Sequence, residues 1–140
     1  MFTIRRAQPE DAESVFGLAS ALATSFAVER HAFEISFAEL LATPHVFLAV
    51  AQAVTPLVGY LLGFDHYIFY ANGRVSWVEE VMVAADYRRQ GVGRLLMTRF
   101  EQWARSRNSR LVALSTRRAA AFYTALCYEE SAVYFRKVLD

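Results

Sequence analysis

Val78-Glu79-Glu80-Val81-Met82-Val83-Ala84-Ala85-Asp86-Tyr87-Arg88-Arg89-Gln90-Gly91-Val92-Gly93-Arg94 is the stretch on which the fold turns. Its first half has the β-branched and apolar character of a strand. A loop with two adjacent arginines and two glycines follows, and a helix begins at once. That helix is expected to run to about Arg107, with Val92, Leu95, Leu96, Phe100 and Trp103 on one face. The first amides of a helix have no intrahelical acceptor, and the aligned peptide dipoles place about half a positive charge there. Gly91 and Gly93 lack Cβ atoms and let a phosphate approach the backbone, while Arg88, Arg89 and Arg94 add charge beside it. The dinucleotide pattern G-x-G-x-x-G is excluded because Leu96 holds its third glycine position, and no Gly-Lys-Ser/Thr follows to make a Walker loop.

Upstream, Phe2 and Ile4 alternate with polar neighbours in a short opening strand. Pro9-Glu10-Asp11 starts a helix whose apolar stripe is Val15, Leu18, Ala19 and Leu22. A second helix is expected over about Phe33–Leu41, ending before Pro44. Val46–Ala51 and Leu57–Tyr70 read as strands split by a turn at Thr55-Pro56, and Asn72-Gly73 is a hairpin signal leading into a strand over Arg74–Val83. Downstream, Leu111–Leu114 is a short buried-strand run, Ala119–Leu126 a helix, and Ala132–Leu139 a closing strand. The order β-α-α-β-β-β-α-β-α-β predicts an α/β chain with an antiparallel first half and a strand–helix–strand crossover after it.

The chain has 140 residues, of which 55% are hydrophobic and 21% charged, so it can bury a core as one domain over residues 1–140. No apolar run approaches the roughly 20 residues of a membrane helix. The N-terminus lacks a basic segment followed by an apolar one, and the expectation is a cytoplasmic protein with no membrane partner. A single cysteine, Cys127, excludes a disulfide within the chain. His31, His45 and His66 have no metal-ligand spacing, so no metal is expected. Charge is unevenly placed. Residues 1–87 hold ten acidic and four basic side chains, whereas residues 88–118 hold nine arginines against Glu101 alone. The basic segment suits an anionic ligand, and the acidic half suits a cationic one. A nucleic-acid partner is not expected, because the net charge is only +1 and the arginines coincide with the glycine loop.

Arg88-Arg89-Gln90-Gly91-Val92-Gly93 resembles the pyrophosphate signature Arg/Gln-x-x-Gly-x-Gly/Ala of the GNAT family, the acetyl-CoA-dependent N-acetyltransferases. Ala119-Ala120-Ala121-Phe122-Tyr123-Thr124-Ala125-Leu126-Cys127-Tyr128-Glu129 is similar to that family's Ala-x-x-Phe-Tyr-x-x-x-Gly-Phe segment. The resemblance covers about Arg74–Lys137. It implies an acyl-CoA N-acyltransferase fold, a central mixed β-sheet flanked by about four helices, with acetyl-CoA as co-substrate. It further implies that the backbone of Val81, Met82 and Val83 pairs with the pantetheine arm, and that the amides from Arg89 through Gln90, Gly91, Val92, Gly93 and Arg94 hold the pyrophosphate beside Arg88. Thr116 stands where many members have an asparagine on the pantetheine arm, and Cys127 where the family has glycine.

Acetyl transfer to nitrogen needs a neutral amine, and an alkylammonium of pKa about 10.4 is only about one part in 2,500 neutral at pH 7. A general base is therefore required. Glu79 and Glu80 lie on the strand before the loop, on opposite faces by simple alternation. Glu79 shares parity with Val81 and Val83 and matches the family's position for the base, with Glu80 behind it. A strand bulge implied by the resemblance makes that counting unsafe. Tyr123 matches the family tyrosine that protonates the leaving thiolate. The acceptor is expected to be a small-molecule or peptide primary amine, by complementarity a cationic one. The competing reading is a non-catalytic acyl-CoA sensor or docking module. Exposed aromatics or the final strand are candidates for a homodimer contact.

Overall fold

The computed structural model describes residues 1–139. A five-stranded sheet in the order β1-β2-β3-β4-β5 is built from Thr3–Arg6, Val46–Gln52, Leu57–Ile68, Gly73–Val83 and Val112–Leu114. The first four strands are antiparallel and β5 runs parallel to β4. Helices α1 (Ala12–Leu22) and α2 (Arg30–Ala42) precede β2, α3 (Val92–Ser106) makes the crossover from β4 to β5, and α4 (Ala120–Ala125) follows β5. The mixed sheet and four helices are the expected class. No helix among the described residues is long and apolar enough to cross a membrane.

Each sheet face carries its own core. On one side Ala49, Val58, Leu61 and Val78 meet Val92, Leu96, Met97 and Phe100 of α3. On the other, Leu48, Val50, Tyr60 and Met82 meet Val15 and Ala19 of α1 and Phe37 of α2. The α3 stripe differs from the expected one at Leu95, which is exposed, while Met97 and Ala104 are buried in its place. The sheet covers an arc centred nearer Leu96 and Phe100 than the sequence spacing alone indicates.

At the end of the sheet farthest from the glycine loop, the buried Asp65 carboxylate ties four elements together. Arg74 Nη1 of β4 donates to it at 3.1 Å, the Arg107 guanidinium just after α3 donates to both of its oxygens, and His45 Nδ1, before β2, lies 3.2 Å away. Burial pushes the Asp65 carboxyl up, but the hydrogen bonds from Arg107 and Arg74 outweigh it and hold the group below the usual range.

The expected closing strand over Ala132–Leu139 is not formed: residues 129–139 carry neither helix nor strand. Val133, Tyr134, Phe135, Val138 and Leu139 are all exposed. Their apolar alternation is a local signal, and no face of the segment is buried to hold it against the three-residue β5.

Candidate active site

A single irregularity in β4 shapes the site. Across the β3–β4 ladder Leu62 faces Glu80, but the next residue, Gly63, faces Val78, so Glu79 is an inserted bulge residue. The insertion breaks the alternation. Val78 and Val81 both reach the α3 side, whereas Glu80 falls in step with Met82 on the α1–α2 side. A side chain at Gly63 would collide with the Phe100 ring and come within 2.8 Å of the Trp77 carbonyl oxygen, so the strand opposite the bulge needs glycine.

The bulge sends the two glutamates to different surroundings. Glu79 is exposed and accepts a hydrogen bond from Trp77 Nε1 at 2.8 Å. Glu80 is half-buried and accepts one from the Tyr60 hydroxyl at 2.6 Å. Burial, and then the neighbouring Glu80 charge, push the Tyr60 hydroxyl far above its ordinary pKa, so Tyr60 stays a donor and Glu80 an acceptor. Sequence reasoning missed Tyr60. Its parity with Leu62 was visible, but its opposition to Glu80 requires the β3–β4 register.

Two cavities meet at Glu80 and Leu22, which line both. The first, about 510 Å³, lies between the sheet and the α1–α2 segment, with Tyr60 and Glu80 on its floor. The second, about 380 Å³, opens where β4 and β5 part. Their pairing stops at Val78–Leu114, so β4 runs on to Val83 with no strand on that flank. Glu79, Glu80, Val81, Met82, Arg88, Thr116 and Tyr123, all singled out from the sequence, line this cleft, joined by Arg117 and Arg118, which were not.

The remaining predicted residues, Val83, Arg89, Gln90, Gly91, Val92, Gly93 and Arg94, do not line the cleft. They build its end. Arg88 Nε donates to the Val83 carbonyl at 3.1 Å, folding the loop back on the strand. Arg89 and Gly91 both adopt left-handed backbone, with φ of 62° and 84°, which turns the chain sharply into α3. The Leu95 amide is the first to bond within the helix, to Gly91 O at 3.0 Å, leaving the preceding amides without a helical acceptor. Val92 itself is buried in the core, so only its backbone faces the loop. Gly93 has a packing reason: a Cβ there would sit 3.1 Å from the Phe122 ring. The two motifs recognised in the sequence therefore touch at this point.

Tyr123 stacks edge-on with Phe122 and Tyr128, at ring-centroid distances of 4.9 and 6.0 Å. Burial raises its hydroxyl pKa, so it is protonated at neutral pH. The Thr116 hydroxyl accepts the Ala119 amide at 3.0 Å and so serves the start of α4 as well as the cleft wall. At the other end of α4, Cys127 stands in left-handed conformation with φ of 71°. The Tyr128 amide bonds Tyr123 O and the Cys127 amide bonds Thr124 O, both at 3.0 Å, which is a Schellman stop. Cys127 makes the turn that glycine usually makes.

The electrostatics divide at Glu80. The cleft beside β5 presents Arg88, Arg117 and Arg118 against Glu79 and Glu80, an excess of guanidinium groups that suits phosphate. The cavity under α1 and α2 has Glu29 and Glu80 as its charged lining residues. An extended anionic ligand on one side and a cation on the other would meet at one carboxylate.

Known proteins resemble this chain in sequence and in fold. The model of the acetyltransferase (GNAT) family matches residues 13–127. An aminoalkylphosphonate N-acetyltransferase of Salmonella typhimurium is 30% identical, with 97% of this chain and 90% of that protein covered. Among solved structures, a transcriptional regulator from Bacillus halodurans C-125 superposes with a TM-score of 0.90 at 22% identity, over 99% of this chain and all of the other. An aminoglycoside N-acetyltransferase in complex with CoA gives 0.85 at 21% identity, over 98% and 95% of the two chains.

Proposed function

The chain belongs to the acetyltransferase (GNAT) family, and from that premise we propose that it moves the acetyl group of acetyl-CoA to a primary amine, with Glu80 as general base and Tyr123 as general acid. The observation that carries this reading is the position of Glu80: a carboxylate held by Tyr60 at the one place where the arginine-flanked cleft and the acidic apolar cavity join.

The residues present suit coenzyme A. The free amides before Leu95, the close approach allowed at Gly91 and the guanidinium groups of Arg88, Arg117 and Arg118 all favour phosphate. The unpaired flank of β4 over Val81 offers backbone groups to an extended arm. When bound, acetyl-CoA supplies the thioester carbonyl that the amine attacks.

Glu80 takes one proton from the incoming ammonium, directly or through water, and passes it to solvent. Nitrogen then forms the C–N bond as the C–S bond breaks. The Tyr123 hydroxyl gives its proton to the departing sulfur, whose conjugate acid has a pKa of about 8.5, and regains one from the acylated nitrogen. Net, one amide, one thiol and one released proton result. Glu79, exposed and bonded to Trp77, is outside this path.

Glu80→Gln and Glu79→Gln separate the two carboxylates. Removing a general base costs about 10²- to 10⁴-fold in rate. The expected result is a loss of that order in kcat/KM for Glu80→Gln at pH 7, with acetyl-CoA affinity retained by calorimetry, and a change of only a few-fold for Glu79→Gln. A larger loss for Glu79→Gln than for Glu80→Gln would overturn the assignment. Binding of acetyl-CoA without transfer to any amine would favour a sensor.

A further inference from the structure

We infer that the acceptor is a singly charged primary amine on an aromatic or branched aliphatic body, carrying no carboxylate, phosphate or phosphonate. The inference rests on the proposed transfer reaction and takes it further, to the substrate class.

The cavity that meets the cleft at Glu80 holds about 510 Å³, the size of a small-molecule site. Its walls are apolar, with Val15, Leu22, Phe26, Phe33, Leu48 and Leu62 contributed by both helices, the segment between them and the sheet. Among the described residues its charged lining is Glu29 and Glu80, with no lysine, arginine or histidine. Neither arginine held beside the two helices lines the cavity. Arg30 Nη1 pairs with Glu13 at 2.7 Å, and Arg136 Nη2 donates to Ser25 Oγ at 3.1 Å. An ammonium directed at Glu80 finds an opposite charge and, on Tyr60, a hydroxyl that already orients the carboxylate. The body of the same molecule finds apolar surface to cover. An amino acid or aminoalkylphosphonate would carry an anion into a space whose fixed charges are carboxylates, which is the wrong sign for it. A polyhydroxylated polyamine would leave its hydroxyl groups unpaired against these walls.

The test uses three probes on the whole protein: 2-phenylethylamine, L-phenylalanine, which adds one carboxylate to it, and 2-aminoethylphosphonate. Each is titrated into CoA-loaded protein by calorimetry and, separately, assayed with acetyl-CoA for thiol release. Like-charge contacts of this kind cost several kcal/mol, so 2-phenylethylamine is expected to bind at least about 100-fold more tightly than either anionic amine. Ser36→Arg, on the exposed face of α2 at the cavity edge, is expected to bring that ratio below about tenfold by adding the missing cation. Equal or tighter binding of either anionic probe, or no binding of 2-phenylethylamine to CoA-loaded protein, would overturn the inference. Binding with the expected preference but without thiol release would uphold the site and overturn acetyl transfer instead.

Discussion

Replacing Cys127 with glycine should make this protein more stable. Cys127 ends α4 with φ of 71°, a conformation in which an L-residue's Cβ crowds the following carbonyl oxygen. The cost of that crowding is roughly 1–2 kcal/mol for an ordinary residue and close to nothing for glycine. The thiol is exposed, so its removal sacrifices little packing. Against the gain, glycine loses more chain entropy on folding, by about 0.5–1 kcal/mol. The difference leaves about 0.5–1 kcal/mol in favour of Cys127→Gly, which for a domain of this length corresponds to about 2–4 °C in Tm. Thermal unfolding followed by circular dichroism, with a urea titration to confirm an unchanged m-value, measures it. Cys127→Ala is the control. It removes the sulfur but keeps the Cβ, so it should stay within about 0.5 kcal/mol of the parent. If glycine gives no more stability than alanine, the left-handed turn is not where the strain lies and the reasoning fails.

Tyr123→Phe should lower kcat about 10- to 100-fold, at the weak end for a general acid because a thiolate is already a fair leaving group, with the KM for acetyl-CoA little changed; steady-state kinetics that show unaltered kcat would remove Tyr123 from the chemistry. Because burial raises the Tyr123 pKa, the parent's acid should not be lost as pH climbs to about 10, which a pH–rate profile checks. Asp65→Asn should cost about 2–3 kcal/mol in urea unfolding at pH 7, less than a fully buried pair because Arg74 and Arg107 keep some solvent contact. The folded-state pKa of Asp65 is depressed, so its contribution is present above the unfolded value of about 3.9 and fades as pH falls through the folded value. The parent should therefore lose stability in acid more steeply than Asp65→Asn, and parallel curves would refute the pairing's role.

What could be read in advance followed from how local each signal is. Asn72-Gly73 marks a hairpin because the turn itself needs positive φ, and Asn72 does adopt φ of 61°. Gly91 is required by the left-handed start of α3, so the loop-to-helix unit was legible from a few neighbouring residues. The hydrogen bond from Tyr60 to Glu80 joins residues on two strands and depends on a register that no window of one strand contains. Parity groups Glu79 with Val81 and Val83, but alternation counts residues, and a bulge consumes one without advancing the face. Ala132–Leu139 has strand-like composition, yet a strand is made by its partner, and none pairs with it among the described residues. Tyr123 and the glycine loop were placed together by motif, but the physical link between them, Phe122 against Gly93, is a tertiary contact.

The bulge also explains how one strand borders two cavities. A regular β4 paired along its length with β5 would have no free backbone flank, and its two glutamates would alternate strictly between the faces of a closed sheet. One added residue at Glu79 changes both conditions. It increases the local twist, and beyond Val78 the strand leaves β5, opening the cleft that ends at the arginines. The same extra residue returns Val81 to the α3 core while turning Glu80 under α1, where Tyr60 receives it. Gly63 completes the arrangement from the opposite strand, because any side chain there would strike Phe100 and push β3 away from the bulge. The opening of the cleft and the turn of Glu80 toward Tyr60 thus share one cause, a single residue of slippage between β3 and β4.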